Sequence, residues 1–214
     1  MLRTDDTDNT AHRLIYDNWE CKRFFLLCEK QHCALCKLCV LCAIFRYLRG
    51  VMSKSIAIMR HALTENGWQK PDADRCILPE GEVQTANVAQ KMAAAGIVPD
   101  AVWASPAMRA LQTAEIVARQ LCPNVEIETV RQLYYDDEFS VAERIEICPD
   151  TINCLLIVGH NPMVSRLVSR LSGNGNFGWF ATSEVVWLEF DAKTWADIAT
   201  SAITGRIKIS PIKN

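Results

Sequence analysis

From residue 52 onward the sequence predicts an α/β fold, a three-layer sandwich in which a mostly parallel sheet carries helices on both faces. Short apolar runs rich in β-branched residues, which are typical of buried strands, alternate with longer stretches of helical periodicity. Alternating strands and helices favour a parallel sheet that is covered on both sides. The chain has 214 residues, of which 50% are apolar, so it is long enough for one ordinary domain with some surplus.

The first two predicted strands flank a long helix. Residues 56–59 are apolar and partly β-branched, which indicates a buried strand, whereas the polar residues 64–75 contain glycine and proline and indicate a loop. Apolar side chains recur along one side of residues 80–95, which predicts a helix that Gly96 ends as a C′ residue. A second apolar run predicts a strand over residues 101–104.

The middle of the chain repeats this alternation. A helix is predicted over residues 106–121, because proline is tolerated in a first helical turn, where its missing N–H is not needed. Residues 125–130 are predicted as the third strand, and residues 138–147 as a short helix or helical loop. The fourth strand is predicted over residues 154–158.

The last part of the chain is predicted to complete the sheet. A helix over residues 162–171 is followed by a loop over residues 172–180, which is rich in Gly and Asn. Residues 185–190 are predicted as a strand, and residues 206–209 as a final strand at an edge of the sheet.

Cationic and imidazole side chains follow three of the predicted strands. Arg60 and His61 follow the first strand, Arg109 lies beyond the second, and His160 follows the fourth. Ligand crevices in open α/β sheets lie at the carboxyl ends of the strands, so these side chains are expected to converge. Two arginines and two histidines together suit a dianionic phosphoryl group.

These residues lie in motifs that resemble those of the histidine phosphatase superfamily, which has the phosphoglycerate-mutase-like fold. Within it, the chain is most similar to the small SixA-type phosphohistidine phosphatases. The resemblance covers roughly three-quarters of the chain, and the motifs occur in the family's order and spacing. The four motifs are Arg60-His61, Arg75 through Gly81-Glu82, Ser105-Pro with Arg109-Ala-x-Gln-Thr-Ala, and Gly159-His160-Asn-Pro.

The resemblance implies a metal-independent phosphatase that needs no cofactor. His61 is expected to attack phosphorus and form a phosphohistidine intermediate, while Arg60, Arg109 and His160 hold the phosphoryl oxygens. A neutral imidazole can attack phosphorus if a backbone carbonyl in the following loop accepts a hydrogen bond from its far nitrogen and so orients the ring. The chain has little room for the caps that enclose small substrates in larger members. The expected substrate is therefore phosphohistidine in a phosphorylated protein. Two alternative functions stay open: a small-molecule phosphomonoesterase, and a catalytically silent phosphate-binding or scaffold module.

The sequence departs from the family pattern at the residue after the first histidine and at the general acid. The expected glycine is Ala62, which is strained if the position needs positive φ and serves if it needs only a small residue. Phosphoamidate leaving groups protonate easily, so a strong general acid is not required. The candidates for such an acid are Asp136, Asp137, Glu138 and Asp72.

Residues 1–51 differ in composition and are predicted to be an extension outside the fold, with residues 52–214 forming the phosphatase domain. Six of the ten cysteines lie between Cys21 and Cys42. Cys-x-x-Cys spacing can indicate a zinc or iron–sulfur site, but the intervening residues are apolar, so the cysteines can equally be small hydrophobic residues of one helix. We predict no metal site. The role of the extension stays open, as does a biological start at Met52.

Charge and hydropathy exclude some partners. The formal net charge of −2 argues against a general nucleic-acid binder. The sequence lacks the run of about eighteen apolar residues that a membrane-spanning helix needs. If the cysteines are reduced and carry no metal, the cytoplasm is the expected compartment.

Overall fold

A computed structural model of the protein describes residues 53–67, 70–173 and 178–211. The cysteine-rich segment and its candidate metal ligands lie outside the described residues, as does part of the predicted 172–180 loop. Among the described residues there is no group of three or more His, Cys, Asp or Glu side chains placed to hold a metal ion.

Six strands form one sheet in the order β3-β2-β4-β1-β5-β6. The pairs β3–β2, β2–β4 and β4–β1 are parallel, whereas β5 and β6 add an antiparallel pair at one edge. The sheet is therefore mostly parallel, as the sequence predicts, and β6 is an edge strand. The strands are β1 (Lys54–Arg60), β2 (Ala101–Ala104), β3 (Ile127–Thr129), β4 (Cys154–Gly159), β5 (Val185–Phe190) and β6 (Ile203–Ile209).

Helices cover both faces of the sheet, which confirms the predicted three layers. Side chains alternate along β1: Ile56 and Ile58 pack with α4 and α5, whereas Ala57 and Met59 pack with α1 and α2. Fully burying such aliphatic side chains contributes about 1.5–3 kcal/mol each, so the central strands are firmly held. The helices are α1 (Pro79–Ala94), α2 (Met108–Leu121), α3 (Gln132–Tyr135), α4 (Glu138–Glu146) and α5 (Met163–Leu171).

Three elements differ from the sequence prediction. Helix α2 begins at Met108 rather than at residue 106, because Ala107 is extended (φ −64°, ψ 133°) and forms the N-cap. Strand β3 is shorter than predicted, with only three residues pairing with β2, and the short helix α3 follows it. Strand β6 begins at Ile203 because its first residues pair with Glu189 and Phe190 of β5. None of the helices in the described part of the chain has the length and apolar character needed to cross a bilayer.

Candidate active site

The two candidate histidines lie side by side because β1 and β4 are parallel neighbours in the sheet. Arg60 at the end of β1 pairs in register with Gly159 at the end of β4. The backbone N–H of His61 donates to the carbonyl of Gly159 at 2.8 Å, and the two imidazole centroids are 6.5 Å apart. The carboxyl ends of these strands therefore bring His61 and His160 to one place, as the sequence predicts.

His61 is a buried, neutral imidazole. Its side chain is 7% exposed, and its Nδ1 lies 2.8 Å from the carbonyl oxygen of Ala62. A carbonyl can only accept, so Nδ1 carries the hydrogen and Nε2 keeps its lone pair. Burial, together with the nearby Arg109 and Arg60, lowers the pKa of His61 to about 3. The predicted orienting carbonyl is thus present, and Nε2 is free of a proton at neutral pH.

The loop after His61 is fixed to helix α2 by a buried hydroxyl. The N–H of Ala62 donates to Oγ1 of Thr113 at 3.0 Å, and that hydroxyl donates to the carbonyl of Arg109 at 2.6 Å. Both Ala62 and Thr113 are completely buried. The carbonyl that orients His61 therefore belongs to a residue whose own N–H is held in place.

Ala62 stands unstrained in the position where the family pattern has glycine. Among the described residues, Ser183 is the only non-glycine residue with positive φ, so Ala62 does not need glycine's conformational freedom. Position 62 does need a small residue, because helix α1 passes close to it. A Cβ added at Gly81 would lie 2.6 Å from the carbonyl oxygen of Leu63 and 3.3 Å from Cβ of Ala62.

Arg60 lies beside these histidines and is held by a backbone carbonyl. Its Nη1 donates to the carbonyl of Phe180 at 2.7 Å, and Asn161 Nδ2 donates to the same oxygen at 2.9 Å. Burial and the nearby Arg109 lower the pKa of Arg60 below its usual value. The Nε atoms of Arg60 and Arg109 and Nδ1 of His160 are buried and have no hydrogen-bond partner in the described part of the chain. Buried donors of this kind are ordinarily satisfied, so these atoms mark a place for an acceptor such as an anion.

Arg109, the second arginine, is bound by Asp72 in the loop before α1. Its Nη2 donates to Oδ2 of Asp72 at 2.8 Å, and its Nη1 donates to the backbone carbonyl of the same residue. Tyr134 donates its hydroxyl to Oδ2 at 3.0 Å, while Arg75 donates from Nε and Nη2 to Oδ1 at 3.0 and 2.6 Å. The Tyr134 ring also lies edge-on to His160, with centroids 5.2 Å apart.

Of the four candidate general acids, the structure brings only Asp72 into contact with the predicted phosphate-binding residues. Partial burial raises its pKa, but hydrogen bonds from Arg109 and Tyr134 outweigh that effect and hold the pKa at about 2. Asp137 instead caps α4, since its carboxylate accepts from the N–H groups of Phe139 and Ser140. Within the described residues, no hydrogen bond or ion pair joins Asp136 or Glu138 to the histidines or arginines of the site.

The surroundings of His160 favour its neutral form. Burial, and then the charge of Arg109, lower its pKa, whereas Asp72 raises it. The sequence predicts a donor that works best when protonated. The neutral imidazole can still donate one hydrogen bond, from whichever ring nitrogen carries the hydrogen.

Several residues at the site were not predicted from the sequence. Thr113 and Asn161 lie within the recognised motifs, so the sequence indicated that they are near the site. It did not indicate which hydrogen bonds they make. Tyr134 and the carbonyl of Phe180 had no local signal, because each reaches the site through tertiary packing. Gln112, also in a motif, accepts from the N–H of Ile77 at 2.9 Å and ties α2 to the loop that carries Asp72.

Comparison with known proteins gives one family match by sequence and several solved structures with the same fold. The family model "Histidine phosphatase superfamily (branch 1)" matches residues 56–134. No curated protein matches the chain significantly by sequence. Among solved structures, a candidate SixA phosphohistidine phosphatase from Nakamurella multipartitia superposes with a TM-score of 0.64 at 19% identity, covering 75% of this chain and 98% of that one.

Two further solved structures share the fold. A protein histidine phosphatase SixA in complex with tungstate superposes with a TM-score of 0.63 at 21% identity, covering 72% of this chain and 96% of that one. A candidate SixA from Agrobacterium tumefaciens gives 0.60 at 19% identity, with coverage of 72% and 97%. Their nearly complete coverage means that the described fold of this chain contains the whole of theirs.

Proposed function

We propose that the chain is a phosphatase of the histidine phosphatase superfamily and that it releases phosphate from phosphohistidine in a protein partner, through a covalent intermediate on His61. The single observation that carries this proposal is the pairing of a neutral, oriented His61 with buried arginine donors that have no partner. A nucleophile with a free lone pair and cationic donors for the phosphoryl oxygens are the two parts that phosphoryl transfer needs.

The proposed reaction has two displacements at phosphorus. In the first, Nε2 of His61 forms a bond to phosphorus while the bond to the leaving nitrogen breaks, and the electron pair of that bond goes to the leaving group. In the second, water attacks the phosphohistidine, the P–N bond breaks and its electron pair returns to Nε2, and the proton that the attacking water loses passes to the released phosphate or to solvent. Arg60 and Arg109 offset the charge on the non-bridging oxygens, and positioning and charge stabilisation supply most of the catalysis.

The proposal of a protein substrate rests on how little chain surrounds the site. Only residues 110–159, fifty residues, separate Arg109 from His160, and they are occupied by most of α2 and by the elements from β3 to β4. No inserted cap therefore covers this side of the site, which favours a phosphate displayed on another protein. The solved neighbours named above include a protein histidine phosphatase, which supports the same substrate class. The proposed compartment is the cytoplasm, consistent with the free thiols of Cys76, Cys122, Cys148 and Cys154.

Phosphate release in the presence of EDTA tests the proposal. The full chain is offered a phosphohistidine protein and, in parallel, para-nitrophenyl phosphate, with His61→Ala beside each. We expect metal-independent release from phosphohistidine that the substitution abolishes. Release from the aryl phosphate alone would favour a small-molecule phosphomonoesterase, and no release from either by the folded protein would favour a silent phosphate-binding module. Repeating the assay with the chain from Met52 tests the proposal that residues 52–214 are the phosphatase domain.

A further inference from the structure

We propose that the carboxylate of Asp72 selects substrates by the charge of the leaving group, favouring phosphoramidates that leave from a protonated nitrogen over phosphate esters that leave as anions. This inference rests on the proposed function and concerns the same site. It gives Asp72 a role different from that of a general acid, because a carboxylate that stays ionised has no proton to donate.

The first argument is the way in which the Asp72 carboxylate is occupied. Two hydrogen bonds from Arg75 fill Oδ1, and Oδ2 accepts from Arg109 and Tyr134. A carboxylate has about four acceptor positions, so these four hydrogen bonds use all of them. In this proposal the phosphoryl group takes the Nη2 donor of Arg109 together with its partnerless Nε, which leaves one position open on Oδ2. The remaining hydrogen bond from Tyr134 and the two from Arg75 keep the carboxylate in place.

The second argument is direction. His61 is 7% exposed and the Arg109 side chain 5%, whereas the Asp72 side chain is 55% exposed. His61 and Arg109 are thus both buried, whereas the carboxylate of Asp72, which binds Arg109, reaches solvent. In an in-line displacement the leaving group departs on the side of phosphorus opposite the nucleophile. Because the nucleophile is buried, we infer that the leaving group departs toward solvent and passes the exposed carboxylate of Asp72.

The third argument is charge. The ion pair with Arg109 and Arg75 keeps Asp72 anionic, and a cationic N–H is the strongest partner for the freed lone pair. A protonated phosphohistidine ring supplies such a donor, as does the ammonium group of phosphoramidate. When the P–N bond breaks, its electron pair neutralises that charge, so imidazole or ammonia leaves without a further proton. An ester leaves as an alkoxide or aryloxide, whose developing negative charge Asp72 opposes.

Two small substrates test this selection without a protein surface. The ratio of kcat/KM for phosphoramidate to that for para-nitrophenyl phosphate is measured for the full wild-type chain, Asp72→Asn and Asp72→Glu. The matched control is Asp136→Asn, which removes an exposed carboxylate that no described contact joins to the site. We expect Asp72→Asn to lower the ratio about tenfold, the effect of roughly 1.4 kcal/mol at a partly exposed charge pair. Asp72→Glu and the control should stay within about twofold of wild type.

The ratio separates leaving-group selection from a general effect on Arg109. If Asp72→Asn changes both rates by the same factor, Asp72 acts only through Arg109 and the inference is wrong, while the proposed phosphatase stands. A wild-type chain that hydrolyses neither substrate counts against the proposed function instead.

Binding to the unmodified protein supplies a second readout that does not depend on the fold of a variant. Dissociation constants for aminomethylphosphonate, ethylphosphonate and phosphonoacetate compare a cationic, a neutral and an anionic group next to phosphorus. The inference predicts the tightest binding for aminomethylphosphonate and the weakest for phosphonoacetate. Equal or reversed affinities would overturn it.

Discussion

Thr113→Val removes one buried hydroxyl while keeping the shape of the side chain. The hydroxyl is the acceptor for the Ala62 N–H, and both residues are completely buried, so water cannot replace it. The carbonyl of Arg109 keeps its place in α2 and loses only a second donor. A buried N–H left without a partner costs about 1–3 kcal/mol. We therefore expect the free energy of unfolding to fall by about 2 kcal/mol.

The same substitution should also lower kcat, because Ala62 carries the carbonyl that orients His61. Urea unfolding followed by circular dichroism gives the change in stability, and phosphate release gives kcat. Thr113→Ser is the matched control, since it keeps the hydroxyl and loses only a methyl group, and it should retain most of the activity. Wild-type stability and kcat in Thr113→Val, or equal losses in both variants, would refute the reasoning.

Two further predictions concern the nucleophile and its surroundings. Because the pKa of His61 is about 3 in the folded protein and near 6.5 when unfolded, the unfolded chain binds a proton below pH 6.5 that the folded site excludes. The free energy of unfolding should therefore fall between pH 7 and pH 5 in both proteins, but by about 2 kcal/mol more in wild type than in His61→Gln. Urea unfolding at both pH values measures this difference. Equal falls in the two proteins would contradict a His61 pKa of about 3. Gly81→Ala should lower the free energy of unfolding by about 1–3 kcal/mol and reduce kcat, because the added Cβ meets the backbone of Leu63. Ala62→Gly, in contrast, should keep kcat within about twofold of wild type. Thermal unfolding and phosphate release check both variants, and a fully active, stable Gly81→Ala would show that this close approach is unimportant.

The strands and the four Arg and His positions could be predicted because their signals are local. An apolar run such as residues 56–59 is buried wherever a sheet forms, and parallel strands bring their carboxyl ends to one edge. The short strand β3 and helix α3 were harder, because only three residues of β3 pair and α3 has no periodicity of its own.

The surroundings of the site could not be predicted because they depend on which loop meets which helix. Asp72 reaches Arg109 across 37 positions of sequence, and Tyr134 reaches Asp72 across 62. Neither separation leaves a pattern in the chain. The role of Asp137, in contrast, was available from the sequence, since an Asp just before a helix is a common N-cap. That position makes it a structural residue of α4.

The central claim is a covalent phosphoryl group on His61, and rapid quenching with a phosphohistidine protein labelled with ³²P tests it most directly. The account predicts a transient label on the enzyme that is stable to alkali and labile to acid, that maps to the peptide containing His61, and that is missing in His61→Ala. The appearance of free phosphate with no label on the enzyme, or a label on the His160 peptide instead, would contradict it.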